Sequence, residues 1–170
     1  MNVVLFGFMG VGKTTIGRLL VPRLGYRFVD SDTETEKTLG MKISEAFTHL
    51  GEPAFRTTEC DVIRRLSASD EQIIALGGGA ILDPTNVDSL RRTGRMVLLT
   101  ASPEEIVLRT RGDSSRPLLA GGEKLTRIRC LLDERRERYL AAADIVINTN
   151  GVLPIQVAEA IIGRLGVAAR

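Results

Sequence analysis

An apolar run, Val3-Val4-Leu5-Phe6, leads directly into Gly7-Phe8-Met9-Gly10-Val11-Gly12-Lys13-Thr14, and a helical pattern follows through Leu24. This passage constrains the fold more than any other. Glycines permit a tight loop whose backbone N–H groups wrap an anion, and the helix that follows adds its positive end. The spacing satisfies G-x-x-x-x-G-K-[ST] in the strand-to-helix setting that this phosphate-binding motif requires. Lys13 is expected to reach the outer phosphates of a nucleotide. The Thr14 hydroxyl is placed to ligate Mg²⁺ bridging the β- and γ-phosphates. The motif leaves the acceptor open.

Short β-rich runs alternate with longer segments of helical period. Strands are predicted at Val3-Phe6, Phe28-Asp30, Ile73-Leu76, Met96-Thr100 and Ile145-Ile147, with helical patterns between them. That alternation predicts an α/β fold, a parallel sheet covered by helices on both faces. With 170 residues, 44% of them hydrophobic, the chain is expected to form one domain around one core. The segment 112–122, GDSSRPLLAGG, reads as a mobile loop and candidate lid, because Gly and Ser flank a helix-interrupting Pro117. No basic residue precedes the apolar start, so residues 1–11 read as a core strand rather than a leader. No apolar run approaches the ~20 residues needed to span a bilayer, and a cytosolic location is expected. Cys60 and Cys130 fall in helical patterns without a C-x-x-C spacing and are expected to be buried, reduced thiols.

A formal net charge of +2 comes from 23 basic and 21 acidic residues that are interspersed. With aromatics at only 4%, neither a basic stripe nor a stacking platform for nucleic acid is present. Four of the 23 basic residues are Lys. An Arg-rich set suits forked recognition of carboxylate and phosphate, hence anionic small molecules.

Asp30 and Asp32 stand at i and i+2 at the end of a predicted strand, where an extended backbone points both to one side. The C-terminal end of such a strand borders the ligand crevice, so one acid can help hold Mg²⁺ and the other accept a proton from an attacking hydroxyl. N-capping of the next helix is the alternative for one of them. On the helical stripe of Phe55, Val62, Ile63 and Leu66 lies Glu59, one turn from Arg56. The pair is either a buried acid aiming a guanidinium into a cleft or an exposed ion pair of little consequence. Arg135 shares a stripe with Leu125, Ile128, Leu132 and Tyr139, whereas Arg136 and Arg138 face away as solvated charges. Arg116, in the candidate lid, is placed to close over transferred phosphate or to be an ordinary loop charge. Gly77-Gly78-Gly79 abandons three side chains in succession, which points to close approach of the backbone to a ligand. His49 reads as structural or surface.

Taken in order, GFMGVGKTTIG, D-S-D, GEPAFRTTE, LGGGA, RPLL and a late R-x-x-x-Y resemble the shikimate kinase family over essentially the whole chain. The resemblance implies a five-stranded parallel sheet of order 2-3-1-4-5, a substrate-binding region at about 31–60 and a lid at about 110–124. It implies transfer of the γ-phosphate of ATP to the 3-hydroxyl of shikimate by a cytoplasmic monomer acting without nucleic acid or membrane. The residues it implies for the nucleotide are Gly10, Val11, Gly12, Lys13, Thr14 and Thr15, with Thr14 and Asp30 at Mg²⁺. Asp32 corresponds to the residue that binds the shikimate hydroxyls and acts as base, Arg56 and Arg135 to the pair gripping the carboxylate, and Gly78 to a backbone contact. Arg116 corresponds to the lid arginine on ATP, and Arg109 and Pro154 to adenine contacts. Two departures stand out: a lid rich in Gly and Ser, and Glu137 where the family's R-x-P-x-Y segment has Pro. Kinases of the same fold acting on gluconate or nucleoside monophosphates are the nearest rivals.

Overall fold

The computed structural model describes residues 1–111 and 123–166. Five strands form one parallel sheet: β1 (Asn2–Phe6), β2 (Arg27–Asp30), β3 (Gln72–Ala75), β4 (Gly94–Thr100) and β5 (Ile145–Asn148), in the order β2-β3-β1-β4-β5. Every adjacent pair is parallel, as the alternation of elements predicts. In the central strand Val3, Val4 and Leu5 are wholly buried. Apolar side chains on both sides of the pleat require a helical layer on each face.

Chain direction supplies those layers. The helix after β1, α1 (Lys13–Leu24), packs with the last helix, α8 (Pro154–Leu165). The long α4 (Gly51–Ser67), α5 (Pro84–Arg91) and α7 (Lys124–Ala142) form the opposite layer, with α6 (Pro103–Arg109) against α7. Right-handed crossovers assign the layers this way, because the chain moves one way along the sheet from β1 to β2 and the other way thereafter. Two short helices, α2 (Ser31–Leu39) and α3 (Ile43–His49), connect β2 to α4. Glu36 steadies their junction by accepting from Lys42 Nζ at 2.9 Å and from the Ile43 N–H at 3.1 Å.

The predicted strands match the observed ones to within two residues at each end. Both cysteines are free thiols, as expected, but the expectation that they are buried does not hold. Cys60, on α4, is only half-buried, and Cys130 is exposed, the latter because α7 is a largely polar helix that buries only Ile128, Tyr139 and Ala142.

Candidate active site

The loop after β1 turns on glycines. Gly7, Gly10 and Gly12 have φ of 137°, 77° and 100°, conformations that side chains with a Cβ rarely adopt. A Cβ on Gly10 would also come within 2.9 Å of Thr110 Cγ2. The loop is closed by Lys13, whose Nζ donates to Gly7 O and Phe8 O, both at 3.0 Å. Gly12 caps α1 in the left-handed conformation, and no acidic residue occupies the first turn. The positive end of the helix therefore faces the loop without a carboxylate of its own first turn to offset it. Val11 is buried beneath, while Thr14 and Thr15 are exposed at the start of α1.

Arg109 ties this loop to a second one. Its guanidinium donates to Gly10 O at 3.4 Å, to Thr149 Oγ1 at 2.9 Å and to Thr149 O at 2.7 Å, while Nε meets Glu105 at 2.8 Å. Thr149 precedes the turn that leads to Pro154, the first residue of α8. Of the two expected adenine positions, Arg109 thus touches the phosphate loop, and Pro154 follows the turn that Arg109 also holds. Arg116 lies outside the described residues.

The D-S-D segment departs from the extended geometry expected of it. Strand β2 ends at Asp30 and α2 begins at Ser31, so a helical turn, not a strand pleat, directs Asp32. The cause is Asp30 itself: its Oδ1 accepts from the N–H groups of Asp32 and Thr33 at 3.0 and 3.2 Å, which is N-capping. The capping alternative therefore holds for Asp30. Asp30 and Thr14 nevertheless line one cavity of about 370 Å³, together with Glu34 and the cationic Arg18, Arg27 and Lys37. Hard oxygen donors from few side chains suit Mg²⁺, which keeps water and phosphate oxygens for its remaining positions. Among the described residues no three His, Cys, Asp or Glu side chains gather into a metal cluster.

Asp32, Arg56 and Arg135 converge on the glycine triplet that follows β3. A Cβ on Gly77 would overlap the Asp32 carboxylate, coming within 3.1 Å of Cγ and 3.3 Å of Oδ2. A Cβ on Gly79 would stand 2.8 Å from both terminal nitrogens of Arg56, and one on Gly78 would stand 3.7 Å from Arg135 Nη1. Gly77 and Gly79 thus make room for Asp32 and Arg56, whereas a Cβ on Gly78 would be in ordinary contact with Arg135. Arg135 Nη1 donates to Gly78 O at 3.3 Å, and its guanidinium lies 5.6 Å from the Phe8 ring centroid, spanning the triplet and the phosphate loop.

Arg56 is fixed by a buried partner. Glu59, whose side chain is 3% exposed, accepts from Arg56 Nη1 at 2.7 Å, and Glu52 adds a second ion pair at 3.2 Å. The buried reading of the Arg56–Glu59 pair therefore holds. The rings of Phe47 and Phe55 lie 5.8 and 5.3 Å from the same guanidinium. Burial works against the Arg56 charge, but Glu59 and Glu52 more than offset it and hold the group above the ordinary arginine value. Burial also pushes the Glu59 carboxyl up, and Asp32 and Asp83 push the same way against the pull of Arg56. Removing the arginine would leave an unpaired buried charge, a loss of about 3–5 kcal/mol.

Sequence reasoning missed Glu52, Ser31 and Thr149 as partners of these groups. Glu52 was visible in principle, four residues before Arg56 on one helix. Ser31 and Thr149 act through contacts between elements distant in sequence, which no local spacing reveals. His49 is exposed, as expected.

A family model described as "Shikimate kinase" matches residues 9–166. The chain is 46% identical over 152 residues to the shikimate kinase of Symbiobacterium thermophilum, covering 88% of this chain and 87% of that one. It is 45% identical over 161 residues to that of Caldicellulosiruptor saccharolyticus, covering 95% and 93%. In three dimensions it is similar to shikimate kinase from Acinetobacter baumannii in complex with shikimate, with a TM-score of 0.91, 37% identity, and 96% and 92% of the two chains covered.

Proposed function

Because this chain belongs to the shikimate kinase family and is an ATP-dependent phosphotransferase, we propose that its described residues divide between holding ATP and presenting the 3-hydroxyl of shikimate. The observation that carries this reading is the convergence of one carboxylate, Asp32, and two arginines, Arg56 and Arg135, on the triplet beside the phosphate loop. A small acceptor bearing a carboxylate at one end and hydroxyls at the other matches that set. Gluconate kinases and nucleoside-monophosphate kinases share the requirement for a phosphate loop but not for this combination.

The loop from Gly10 to Thr15 binds the phosphates through its N–H groups and Lys13, and Arg109 with Pro154 bounds the adenine. Mg²⁺, held by Thr14 and Asp30, would neutralise charge on the β- and γ-phosphates. Asp30 can do so while capping α2, since both capping bonds use Oδ1. Arg56 and Arg135 take the acceptor's carboxylate, and the Gly78 backbone meets it from below. Asp32 orients the hydroxyl and receives its proton as the oxygen attacks the γ-phosphorus. The bond from that phosphorus to the β-phosphate oxygen breaks in line, and ADP departs. Holding both reactants this way supplies roughly 7–11 kcal/mol of barrier reduction in favourable cases. Lys13 stabilises the developing charge, with Arg116 assigned the same task from the lid at about 110–124. The region 31–60 acts as the acceptor-binding part of a single domain, and the protein works as a cytoplasmic monomer.

A coupled ADP-release assay with ATP and Mg²⁺ tests the reading by comparing shikimate, gluconate, nucleoside monophosphates and no acceptor. Release that requires shikimate is expected, and release that does not would overturn the substrate assignment. Asp32→Asn is expected to nearly abolish transfer while leaving ATP affinity within about twofold. Loss of ATP binding instead would refute the role given to Asp32.

A further inference from the structure

The glycine triplet is gripped from two sides by groups that the transfer chemistry does not itself use. Ser31, wholly buried at the first position of α2, accepts the Gly77 N–H on its Oγ at 3.0 Å. Tyr139, 5% exposed near the end of α7, donates its hydroxyl to Gly78 O at 2.8 Å. The Tyr139 ring also meets Phe6 edge-on, with centroids 6.1 Å apart, where β1 enters the phosphate loop.

Peptide units are planar. Fixing the Gly77 N–H fixes the plane before Gly77 Cα, and fixing the Gly78 carbonyl fixes the plane after Gly78 Cα. One plane remains between them, carrying the Gly77 carbonyl and the Gly78 N–H, and its carbonyl accepts from Ala80 N–H at 3.2 Å. Three successive glycines have no side chains to hold them and the largest conformational freedom of any residues. An orientation set only by their own backbone would be lost.

We infer that Ser31 and Tyr139 are positioning residues for the acceptor, clamping the planes on either side of the Gly78 N–H so that it presents to the acceptor in one orientation. Arg135 shares the Gly78 carbonyl at 3.3 Å, but it is also assigned to the acceptor's carboxylate. Tyr139 is the partner that keeps the carbonyl when Arg135 turns to that task. Burial pushes the Tyr139 phenol up against the opposing pull of Arg135, so its hydroxyl remains a donor through neutral pH. This inference rests on the reading that the triplet faces shikimate.

The test uses the full chain with Tyr139→Phe and Ser31→Ala, both close in shape to the wild-type residues. Steady-state rates are measured with shikimate and ATP varied separately, shikimate affinity by calorimetry without nucleotide, and melting temperature for each variant. Each substitution is expected to raise the KM and Kd for shikimate about 5- to 10-fold, as loss of one buried hydrogen bond does, with the KM for ATP within about twofold. The double variant is expected to depart from the product of the single effects, because both act on planes that flank the same peptide unit. A lowered melting temperature with the shikimate KM unchanged in both variants would make the clamp purely structural and overturn the inference. If the wild-type protein does not phosphorylate shikimate, the underlying reading fails instead, and that control is run first.

Discussion

Replacing Gly77 with alanine places a methyl group against the carboxylate assigned to the acceptor hydroxyl. Gly77 does not have a positive φ, so alanine fits the backbone and the effect is steric. The new Cβ would overlap Asp32 Oδ1 and sit 3.1 Å from Cγ. Restoring ordinary contact displaces the carboxylate by about 1 Å, and a misplacement of that size costs about 100-fold in rate. That factor corresponds to about 2.7 kcal/mol of transition-state stabilisation. The carboxylate has little freedom to retreat elsewhere, because Asp32 lies in the first turn of α2 and its N–H is held by Asp30. The assay is kcat/KM for shikimate by coupled ADP release, beside nucleotide affinity measured by calorimetry. A loss of about 100-fold with the nucleotide Kd within twofold is expected. Gly79→Ala is the internal comparison: its Cβ presses on the Arg56 guanidinium and not on Asp32, so its effect is expected in the shikimate KM and not in kcat. Unchanged kcat/KM in Gly77→Ala would refute the placement of Asp32 at the reacting atoms.

Glu59 gives a prediction in pH. Its folded pKa is raised above 4.5, with burial the largest cause and Asp32 and Asp83 contributing. As pH falls through the raised value the carboxyl takes up a proton and releases Arg56, so the shikimate KM is expected to rise with acidification. Glu59→Gln should remove that inflection, and a pH profile of KM in both proteins checks it. For stability the sign is opposite to that of a salt-bridged acid with a lowered pKa. The folded state binds this proton more tightly than the unfolded state, so this group's contribution declines as pH rises from 4.5 through the folded pKa. The cysteines give a prediction in reactivity: Cys130 is exposed, whereas Cys60 is half-buried and its thiol is pushed up by burial and by Asp83. Iodoacetamide at neutral pH, followed by peptide mass spectrometry, should label Cys130 well before Cys60, and equal rates would contradict the environment assigned to Cys60.

Much of the architecture was legible because it rests on local signals. Apolar strands, a glycine loop ending in Lys13-Thr14 and helical periods locate the elements directly, while the strand order came from family resemblance. The pairing of Arg56 with Glu59 and the contact of Arg135 with the Gly78 carbonyl were also legible in outline, since a charged residue on an apolar helical stripe demands a partner wherever it falls. The geometry of D-S-D was not legible, because strand and helix starts compete there and the capping bonds of Asp30 decide the outcome in favour of a helix. Cys130 was misjudged for a related reason: a helix of 19 residues that buries only a few of them exposes positions that periodicity alone would take for core. The clamp on the triplet depends on contacts between residues 46 and 61 positions apart, which only the folded chain brings together.

The sheet order has a consequence for how such an enzyme can change. Strands β1 and β3 are neighbours, paired from Val3 and Ile73 to Leu5 and Ala75, with the Leu76 N–H donating to Leu5 O at 2.9 Å. The phosphate loop leaves one of these strands and the Gly77-Gly78-Gly79 triplet leaves the other. The separation of the two loops at their roots is therefore set by two hydrogen-bonded backbones, about 4.8 Å apart, and not by side chains. Drift in the side chains around the two loops can alter what binds there while leaving that separation untouched.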